Sequence, residues 1–86
     1  MNVRIEFIRR VNTVELREKL PQNEQVHYQL FSSDERLVFS KTSINIHPGS
    51  SIKEKLEISH LPAGTYTLVV SVGTPPKHFE TLTINI

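Results

Sequence analysis

The sequence predicts an all-β fold, a seven-stranded antiparallel immunoglobulin-like β-sandwich, with residues 1–86 as a single domain. Apolar and polar residues alternate in seven short stretches, as in half-buried strands. Turn clusters rich in Pro, Gly, Ser and Asp separate these stretches at roughly 8–12 residue spacing. No stretch carries the apolar stripe of a long amphipathic helix. Together these patterns favour a sandwich over a helical or mixed fold.

The predicted strands differ in how clearly they alternate, and residues 66–72 show the cleanest pattern. In order along the chain, the apolar residues that define the strands are Val3, Ile5 and Phe7; Val14 and Leu16; Val26, Tyr28 and Leu30; Leu37 and Phe39, continued after a bend at 41–43 by Ile44 and Ile46; Ile52, Leu56 and Ile58; Tyr66, Leu68, Val70 and Val72; and Leu82, Ile84 and Ile86.

The second stretch is ambiguous between strand and helix. Asn12 and Glu15 have the spacing of a helix N-cap and its capping-box partner. In a helix, the apolar residues between positions 11 and 20 would form a poor apolar stripe. Val14 and Leu16 instead alternate with charged neighbours, as in a strand. We therefore predict a strand here, with Asn12 in the turn before it.

The last stretch contains a conflict of register. Phe79 is odd-numbered, whereas the apolar residues from Leu82 to Ile86 are even-numbered. One regular strand cannot bury both sets, because successive side chains lie on opposite faces. The sequence therefore predicts a bulge near Glu80 and Thr81.

Turns are expected where Pro, Gly, Ser and Asp cluster, since these residues favour turn geometry. Pro21 to Gln25 is a predicted polar loop. The predicted turns are Ser32–Glu35, His47–Ser50, Pro62–Gly64 and Gly73–Pro76.

Composition excludes several function classes. Ten Lys and Arg against nine Asp and Glu give a net charge of +1, without the clustered basic surface that nucleic acid binding needs. Arg4, Arg9 and Arg10 form at most a small basic edge, which in natural sheets discourages strand-to-strand aggregation. The absence of Cys excludes disulfides, thiol nucleophiles and thiolate zinc sites. We predict no nucleic acid partner.

No catalytic, cofactor-binding or metal-binding constellation is visible, so the sequence predicts no enzyme and no cofactor. Ser59 and His60 are only adjacent in sequence, and no nucleophile-elbow motif surrounds them. Glu54 and Glu57 should point to opposite faces of a strand. The histidines show no metal-ligand spacing, and they are His27, His47, His60 and His78.

The N-terminal residues carry charges and are not followed by the apolar run of a signal peptide. No apolar run is long enough for a spanning helix, so we predict no membrane insertion. A signal peptide removed upstream of Met1 stays compatible with the sequence.

Apolar residues that fall on the polar side of the predicted strands are candidates for a contact surface. They are Ile8, Phe31, Val38 and Val69. Scattered exposed apolar residues are also common on small domains, so this pattern alone does not define a surface.

Residues 26–86 resemble the C-terminal half of bacterial envelope β-sandwich modules, on the stretches VHYQLFSSDERLVFSK, IKEKLEISHLPAGTYTLVVSV and HFETLTINI. Leu61, Pro62, Gly64 and Tyr66 match the LPaGtY element, in which the Gly makes a tight turn and the Tyr enters the core. The chain is similar to a family of small secreted bacterial sandwich domains of unknown function and to the C-terminal sorting domain of type nine secretion cargo.

The chain departs from the sorting domain in three places. It lacks the opening YPNP-type motif and the terminal lysines, and Asp34-Glu35-Arg36 replaces a Gly-containing turn. The resemblance therefore implies the fold rather than a sorting function. The LPAGTY element after HPGSS also resembles the bacterial intracellular proteinase inhibitor family and macroglobulin-type domains.

Two functions follow from these observations. The first is a non-catalytic β-sandwich domain of a bacterial secreted, periplasmic or cell-envelope protein, which contacts a protein or glycan partner through end loops or a sheet edge. The alternative is a cytoplasmic proteinase-inhibitor-like binding module. Its candidate inhibitory loops are Ser32–Arg36 and Gly73–Lys77.

Overall fold

The computed structural model describes residues 3–21, 23–44 and 51–86, with the backbone alone at residues 51 and 52. This part of the chain contains seven antiparallel strands and no helix, which confirms the all-β prediction. The strands are β1 (Arg4–Arg9), β2 (Thr13–Lys19), β3 (Gln25–Ser32), β4 (Leu37–Ile44), β5 (Ser51–Glu57), β6 (Thr65–Val72) and β7 (His78–Asn85).

The strands form two sheets that belong to two compact units. The unit of Met1–Asn23 and Asn45–Leu61 holds a three-stranded sheet of order β1-β2-β5. The unit of Glu24–Ile44 and Pro62–Ile86 holds a four-stranded sheet of order β4-β3-β6-β7. In the immunoglobulin constant arrangement the fourth strand pairs with the fifth, whereas here β4 pairs with β3.

The three-stranded sheet is organised around β2, which confirms the strand prediction for residues 11–20. A two-residue turn joins β1 to β2, and the Arg10 amide donates to the Thr13 carbonyl at 2.9 Å. The Asn12 carbonyl accepts a hydrogen bond from the Ile58 amide at 2.9 Å, which extends the β2–β5 pairing. The buried apolar residues of this unit are Val14, Leu16, Leu20, Leu56 and Ile58.

One residue on the buried face of β2 was not expected there. Glu18 shares the parity of Val14 and Leu16 and is only 1% exposed. Among the described residues, every buried side-chain nitrogen or oxygen has a hydrogen-bond partner. Simple alternation of charged and apolar residues would place a glutamate on the exposed face, so this position could not be read from the pattern.

The four-stranded sheet buries the apolar residues predicted for β3 and β6. Of those predicted for the last strand it buries Ile84, whereas Leu82 is half-buried and Ile86 is 37% exposed. Its core is formed by Val26, Tyr28, Leu30, Tyr66, Leu68, Val70, Val72 and Ile84. Tyr66 begins this core at the turn of the LPAGTY element. Its phenolic hydroxyl donates to the Pro62 carbonyl at 2.7 Å, the hydrogen bond of a tyrosine corner in immunoglobulin-like domains.

The predicted bulge near Glu80 and Thr81 is wrong. The β6–β7 register is continuous from Thr65 opposite Asn85 to Val72 opposite His78. Phe79 keeps the odd parity and is 61% exposed, so no slip is needed to bury it. The two sets of apolar residues do not compete for the buried face, because Phe79 lies on the exposed face of the strand.

The sheet has its irregularity instead in the β3–β4 hairpin. The register shifts between Leu30, which pairs with Phe39, and Phe31, which pairs with Leu37. The extra residue, Val38, places Leu37 and Phe39 on different faces, so the prediction that these two residues share a face is wrong.

Strand β4 also continues through residues 41–43 to Ile44 with unbroken pairing, so the expected bend is absent there. Three predictions lie outside the described residues. These are the position of Ile46, the turn at His47–Ser50 and the side chain of Ile52.

Candidate binding surface

The exposed face of the four-stranded sheet carries no Asp, Glu, Lys or Arg among its described residues, and its one titratable side chain is that of His27. Pairing register and alternation assign four residues of each strand to this face. We call it the uncharged face, and it consists of Gln25, His27, Gln29 and Phe31 of β3; Leu37, Ser40, Thr42 and Ile44 of β4; Thr65, Thr67, Val69 and Ser71 of β6; and Phe79, Thr81, Thr83 and Asn85 of β7.

The exposed face of the three-stranded sheet has the opposite character. Of its described residues, all but Ile8 and Thr13 are charged. We call it the charged face, and its residues are Arg4, Glu6 and Ile8 of β1; Thr13, Glu15, Arg17 and Lys19 of β2; and Lys53, Lys55 and Glu57 of β5. Since charged residues are 22% of the chain, their concentration on the exposed face of one sheet makes the neutral exposed face of the other unusual.

Charged residues do occur on the four-stranded sheet, but they lie on its two edge strands. There they occupy positions that pair with residues of the buried face. Lys41 of the edge strand β4 lies opposite Tyr28, a buried-face residue. On the other edge, Glu80 lies opposite Val70, and its Oε2 lies 2.8 Å from Nε2 of His78. Inward-side charges on edge strands oppose the addition of a further strand. The charge pattern therefore protects the edges of this sheet and leaves its face open.

A chain of hydrogen bonds orders one end of the uncharged face. The His27 ring contacts Thr42 Oγ1 through Nδ1 at 3.0 Å and Thr74 Oγ1 through Nε2 at 3.4 Å. The Thr74 hydroxyl in turn donates to Gln25 Oε1 at 2.8 Å. Beside it, the Gly73 amide donates to the Gln25 carbonyl at 2.8 Å, with φ of 97° at Gly73. These contacts fix the side chains of β3 against β4 and the β6–β7 turn.

The other end of the uncharged face contains a surface depression of about 440 Å³ beside the β3–β4 hairpin. Its lining contributes one phenyl ring, four hydroxyl groups and one carboxylate. The lining residues are Phe31, Ser32, Ser33, Glu35, Thr65 and Thr67. The volume falls in the range of small-molecule sites, about 300–1,000 Å³.

The hairpin beside this depression is held by several hydrogen bonds. The Ser32 amide donates to the Arg36 carbonyl at 2.9 Å, and the Glu35 amide donates to the Ser32 carbonyl at 3.0 Å. The Ser32 hydroxyl hydrogen-bonds to Asp34 Oδ1, and Arg36 forms a 3.0 Å ion pair with Asp34. Glu35 has φ of 65°, the left-handed conformation that completes a three-residue hairpin loop. The loop is therefore a tight reverse turn, as the Ser-Ser-Asp-Glu cluster predicted.

The structure does not gather the candidate catalytic residues. Glu54 and Glu57 lie on opposite faces of β5, as predicted, because their partners are Leu16 and Thr13. Ser59 and His60 are exposed in the segment after β5. The described residues contain no cluster of three or more His, Asp or Glu side chains that could hold a metal ion. His47 lies outside the described residues.

Arg10 belongs to an ion pair at the β1–β2 turn. Its Nε lies 2.9 Å from Glu15 Oε1. This hydrogen bond lowers the pKa of Glu15 below its ordinary value, and nearby Lys55 and Arg17 add smaller electrostatic contributions in the same direction. Arg9 bonds instead to the carbonyls of Arg10 and Val11.

Two of the four apolar residues singled out in the sequence lie on the uncharged face. Phe31 and Val69 are half-buried there, whereas Ile8 lies on the charged face. Val38 is the extra residue of the bulge and is 44% exposed. Phe79, which the sequence placed in the core, is instead a third exposed-face residue of the same sheet.

The sequence pattern did not predict the uncharged face, because this face is distinguished only by its lack of charged residues. Its alternate positions read Thr, Thr, Val, Ser on β6 and Phe, Thr, Thr, Asn on β7, and each strand alone is ordinary for a half-buried strand. Only the strand order of the sheet brings these neutral positions side by side. The face could have been predicted from the sequence by comparing the charges at the exposed positions of each strand.

Comparisons with known proteins support the fold class. No family model matches the chain, and no curated protein matches it. Among solved structures it is similar to a β-glucuronidase from Parabacteroides merdae, with a TM-score of 0.50 and 20% sequence identity. The match covers 96% of this chain and 13% of that one, so the chain spans a small part of the larger enzyme. Together with the seven antiparallel strands in two sheets, this similarity identifies the fold as a β-sandwich.

Proposed function

We propose that this chain is a non-catalytic binding module that contacts a protein or glycan partner through the uncharged face. The observation that carries the proposal is the segregation of charge, with the exposed face of one sheet neutral and that of the other almost wholly charged. A contact surface must lose its water, and burying an unpaired charge is costly. A face without charges avoids that cost.

Exposed apolar groups on the uncharged face support the same proposal. Leu37 is 51% exposed, Ile44 is 49% exposed and Phe79 is 61% exposed. Hydroxyl and amide groups lie between them, as in contact surfaces that combine apolar area with hydrogen bonding. The edges carry inward-side charges at Lys41 and Glu80, so we place the contact on the face rather than on an edge strand.

We propose a bacterial secreted, periplasmic or cell-envelope location, on the resemblance of residues 26–86 to envelope sandwich modules. Within the described residues, no helix has the length and apolar character needed to cross a membrane. The cytoplasmic proteinase-inhibitor alternative receives less support. A protease cleft binds an inhibitor in an extended conformation, whereas the Ser32–Arg36 loop is a tight reverse turn. The other candidate loop, Gly73–Lys77, also consists of turns and is closed by the Lys77 amide, which donates to the Val72 carbonyl at 2.7 Å.

The proposal is tested by retention of the purified chain on an immobilised bacterial envelope fraction. Gln29→Glu places one negative charge at the centre of the uncharged face and preserves side-chain shape, since Gln29 is exposed and pairs with Val69. We expect this variant to lose at least about tenfold in affinity. Lys53→Gln changes the charge by the same amount on the charged face and is expected to bind like the wild type.

Equal retention of both variants would contradict the proposed surface. A lack of any retention would contradict the binding function. Turnover of a substrate by the purified chain in a panel of glycosidase, esterase and protease assays would overturn the non-catalytic part of the proposal. Dose-dependent inhibition of a protease would support the alternative function instead.

A further inference from the structure

We infer that the uncharged face binds an uncharged glycan, and that the depression beside the β3–β4 hairpin holds one of its sugar units. This inference rests on the proposed function and names the chemical class of the partner. It stands on the lining of the depression, on the charge of the whole face, and on its size.

The lining of the depression matches the groups of a sugar ring. The phenyl ring of Phe31 and the hydroxyls of Ser33, Thr65 and Thr67 line the depression, together with the Ser32 hydroxyl, which already bonds to Asp34 and Arg36 within the hairpin. A serine or threonine hydroxyl donates one hydrogen bond and accepts two, so it can pair with a sugar hydroxyl in either direction. Thr65 donates to Asn85 Oδ1 at 3.1 Å, which leaves its acceptor sites for a ligand. The half-buried phenyl ring offers apolar area to the C–H face of a sugar.

The charges around the depression favour an uncharged or cationic sugar over an acidic one. Glu35 is the only charged residue in its lining. A carboxylate accepts hydrogen bonds from sugar hydroxyls and repels uronate, sulfate or phosphate groups. The rest of the uncharged face offers no lysine or arginine to pair with an anion. Arg36 of the adjacent hairpin is already paired with Asp34, so an anionic glycan would compete with that ion pair for the only arginine of the hairpin.

The size of the face favours a chain ligand over a second copy of this protein. Four strands at about 4.8 Å spacing and seven residues at about 3.3 Å rise give a face of about 440 Å² in projection. One partner in a standard protein interface contributes about 800 Å² of accessible surface, so a second copy would also have to contact the loops beyond this face. An oligosaccharide that crosses the strands from the hairpin depression needs a smaller area than a stable dimer does.

The orientation of apolar side chains is consistent with an extended ligand. Phe31 lies at the hairpin end of β3, opposite Thr67, and Phe79 lies on β7 opposite Ser71. The two rings are thus separated by two strand spacings and about four residues along the strands, roughly 16 Å. A glycan of several units can contact both rings, whereas a single sugar reaches only one.

The experiment is affinity electrophoresis in native gels that contain a polysaccharide. The probes are neutral mannan, β-glucan, xylan and galactan, together with the acidic polymers polygalacturonate and heparin. We expect retardation by at least one neutral polymer and none by the acidic polymers. Thr67→Val removes one lining hydroxyl at nearly constant shape and is expected to weaken binding about three- to tenfold, the range for one hydrogen bond. Phe79→Ala is expected to weaken binding to the polymer and leave binding of its monosaccharide unchanged.

The matched control is Thr13→Val, which removes a half-buried threonine hydroxyl from the charged face. It is expected to bind like the wild type, and thermal unfolding of both variants verifies that they fold. Retardation by acidic polymers alone, or equal weakening by both threonine variants, would overturn the inference.

The envelope-retention assay separates this inference from the proposed function. Retention that survives protease treatment of the envelope fraction and is lost after periodate oxidation supports a glycan partner. If protease treatment abolishes retention and periodate oxidation does not, the glycan inference is overturned and the binding function is preserved. No retention in either case overturns both.

Discussion

At the scale of single residues, Tyr66 stabilises the start of β6 in two ways, through its ring and through its hydroxyl group. The residue is buried, with 6% of its surface exposed, and its hydroxyl donates to the Pro62 carbonyl four residues earlier. The Gly64 amide and carbonyl exchange hydrogen bonds of 2.9 Å with Ile86. The LPAGTY element therefore anchors both β6 and the end of the chain after β7.

The two contributions of Tyr66 can be separated by substitution. Tyr66→Phe removes the hydroxyl alone and is expected to destabilise the fold by about 1 kcal/mol. Tyr66→Ala also removes the ring and is expected to cost about 3–5 kcal/mol. Urea denaturation measures both values. Near-neutral stability of Tyr66→Ala would show that the ring does not belong to the core.

Glu15 gives a second prediction at the residue scale. Arg10 lowers its pKa, so the ion pair stabilises the fold above the ordinary pKa of 4.5 and this stabilisation is lost as the pH falls through the lowered value. Arg10→Ala is expected to raise the pKa of Glu15 toward 4.5, as followed by NMR titration of the side-chain carboxyl. Arg9→Ala serves as the control, because Arg9 bonds to backbone carbonyls nearby, and an equal rise there would contradict the assignment.

At the scale of elements, β4 is an edge strand with one Lys among exposed apolar and hydroxyl residues. Leu37, Val38 and Phe39 are 51%, 44% and 38% exposed. Such a strand is a template for pairing with another chain unless a charge or a bulge prevents it. Here both are present, the bulge at Val38 and the inward-side charge at Lys41.

Removing the charge should therefore expose the edge. Lys41→Val is expected to promote concentration-dependent self-association, measured by light scattering after size-exclusion chromatography. Lys41→Arg keeps the charge and should behave like the wild type. If Lys41→Val stays in the same oligomeric state as the wild type at every concentration, the bulge alone protects this edge.

The strands themselves were largely predictable, and the reasons are physical. Residues 66–72 alternate with period two and form β6, and the poor helical stripe of residues 11–20 correctly indicated β2. Phe79 could not be placed, because hydrophobicity alone does not show whether a large ring is buried in the core or lies on an exposed face. Glu18 was misplaced in the opposite sense, because a buried carboxyl group depends on hydrogen-bond partners that the local sequence pattern does not show.

At the scale of the whole molecule, a net charge of +1 conceals an uneven distribution. The charged face holds Lys, Arg and Glu side by side, with Glu15 opposite Lys55 and Glu6 opposite Arg17. Other paired positions hold like charges, with Arg4 opposite Lys19 and Arg17 opposite Lys53, so this face carries an excess of positive charge. The candidate surface could not be predicted from composition, because the average over the chain hides the difference between its two sheets.

This distribution predicts how binding responds to salt. Electrostatic attraction between exposed groups is screened within about 10 Å at 0.1 M salt and about 3 Å at 1 M. A partner bound to the uncharged face gains nothing from such attraction, so its affinity should change by less than about twofold over that range of sodium chloride. Titration calorimetry with the neutral polymer found by electrophoresis measures it. A steep loss of affinity with salt would instead locate the contact on the charged face, where five basic residues lie among three glutamates.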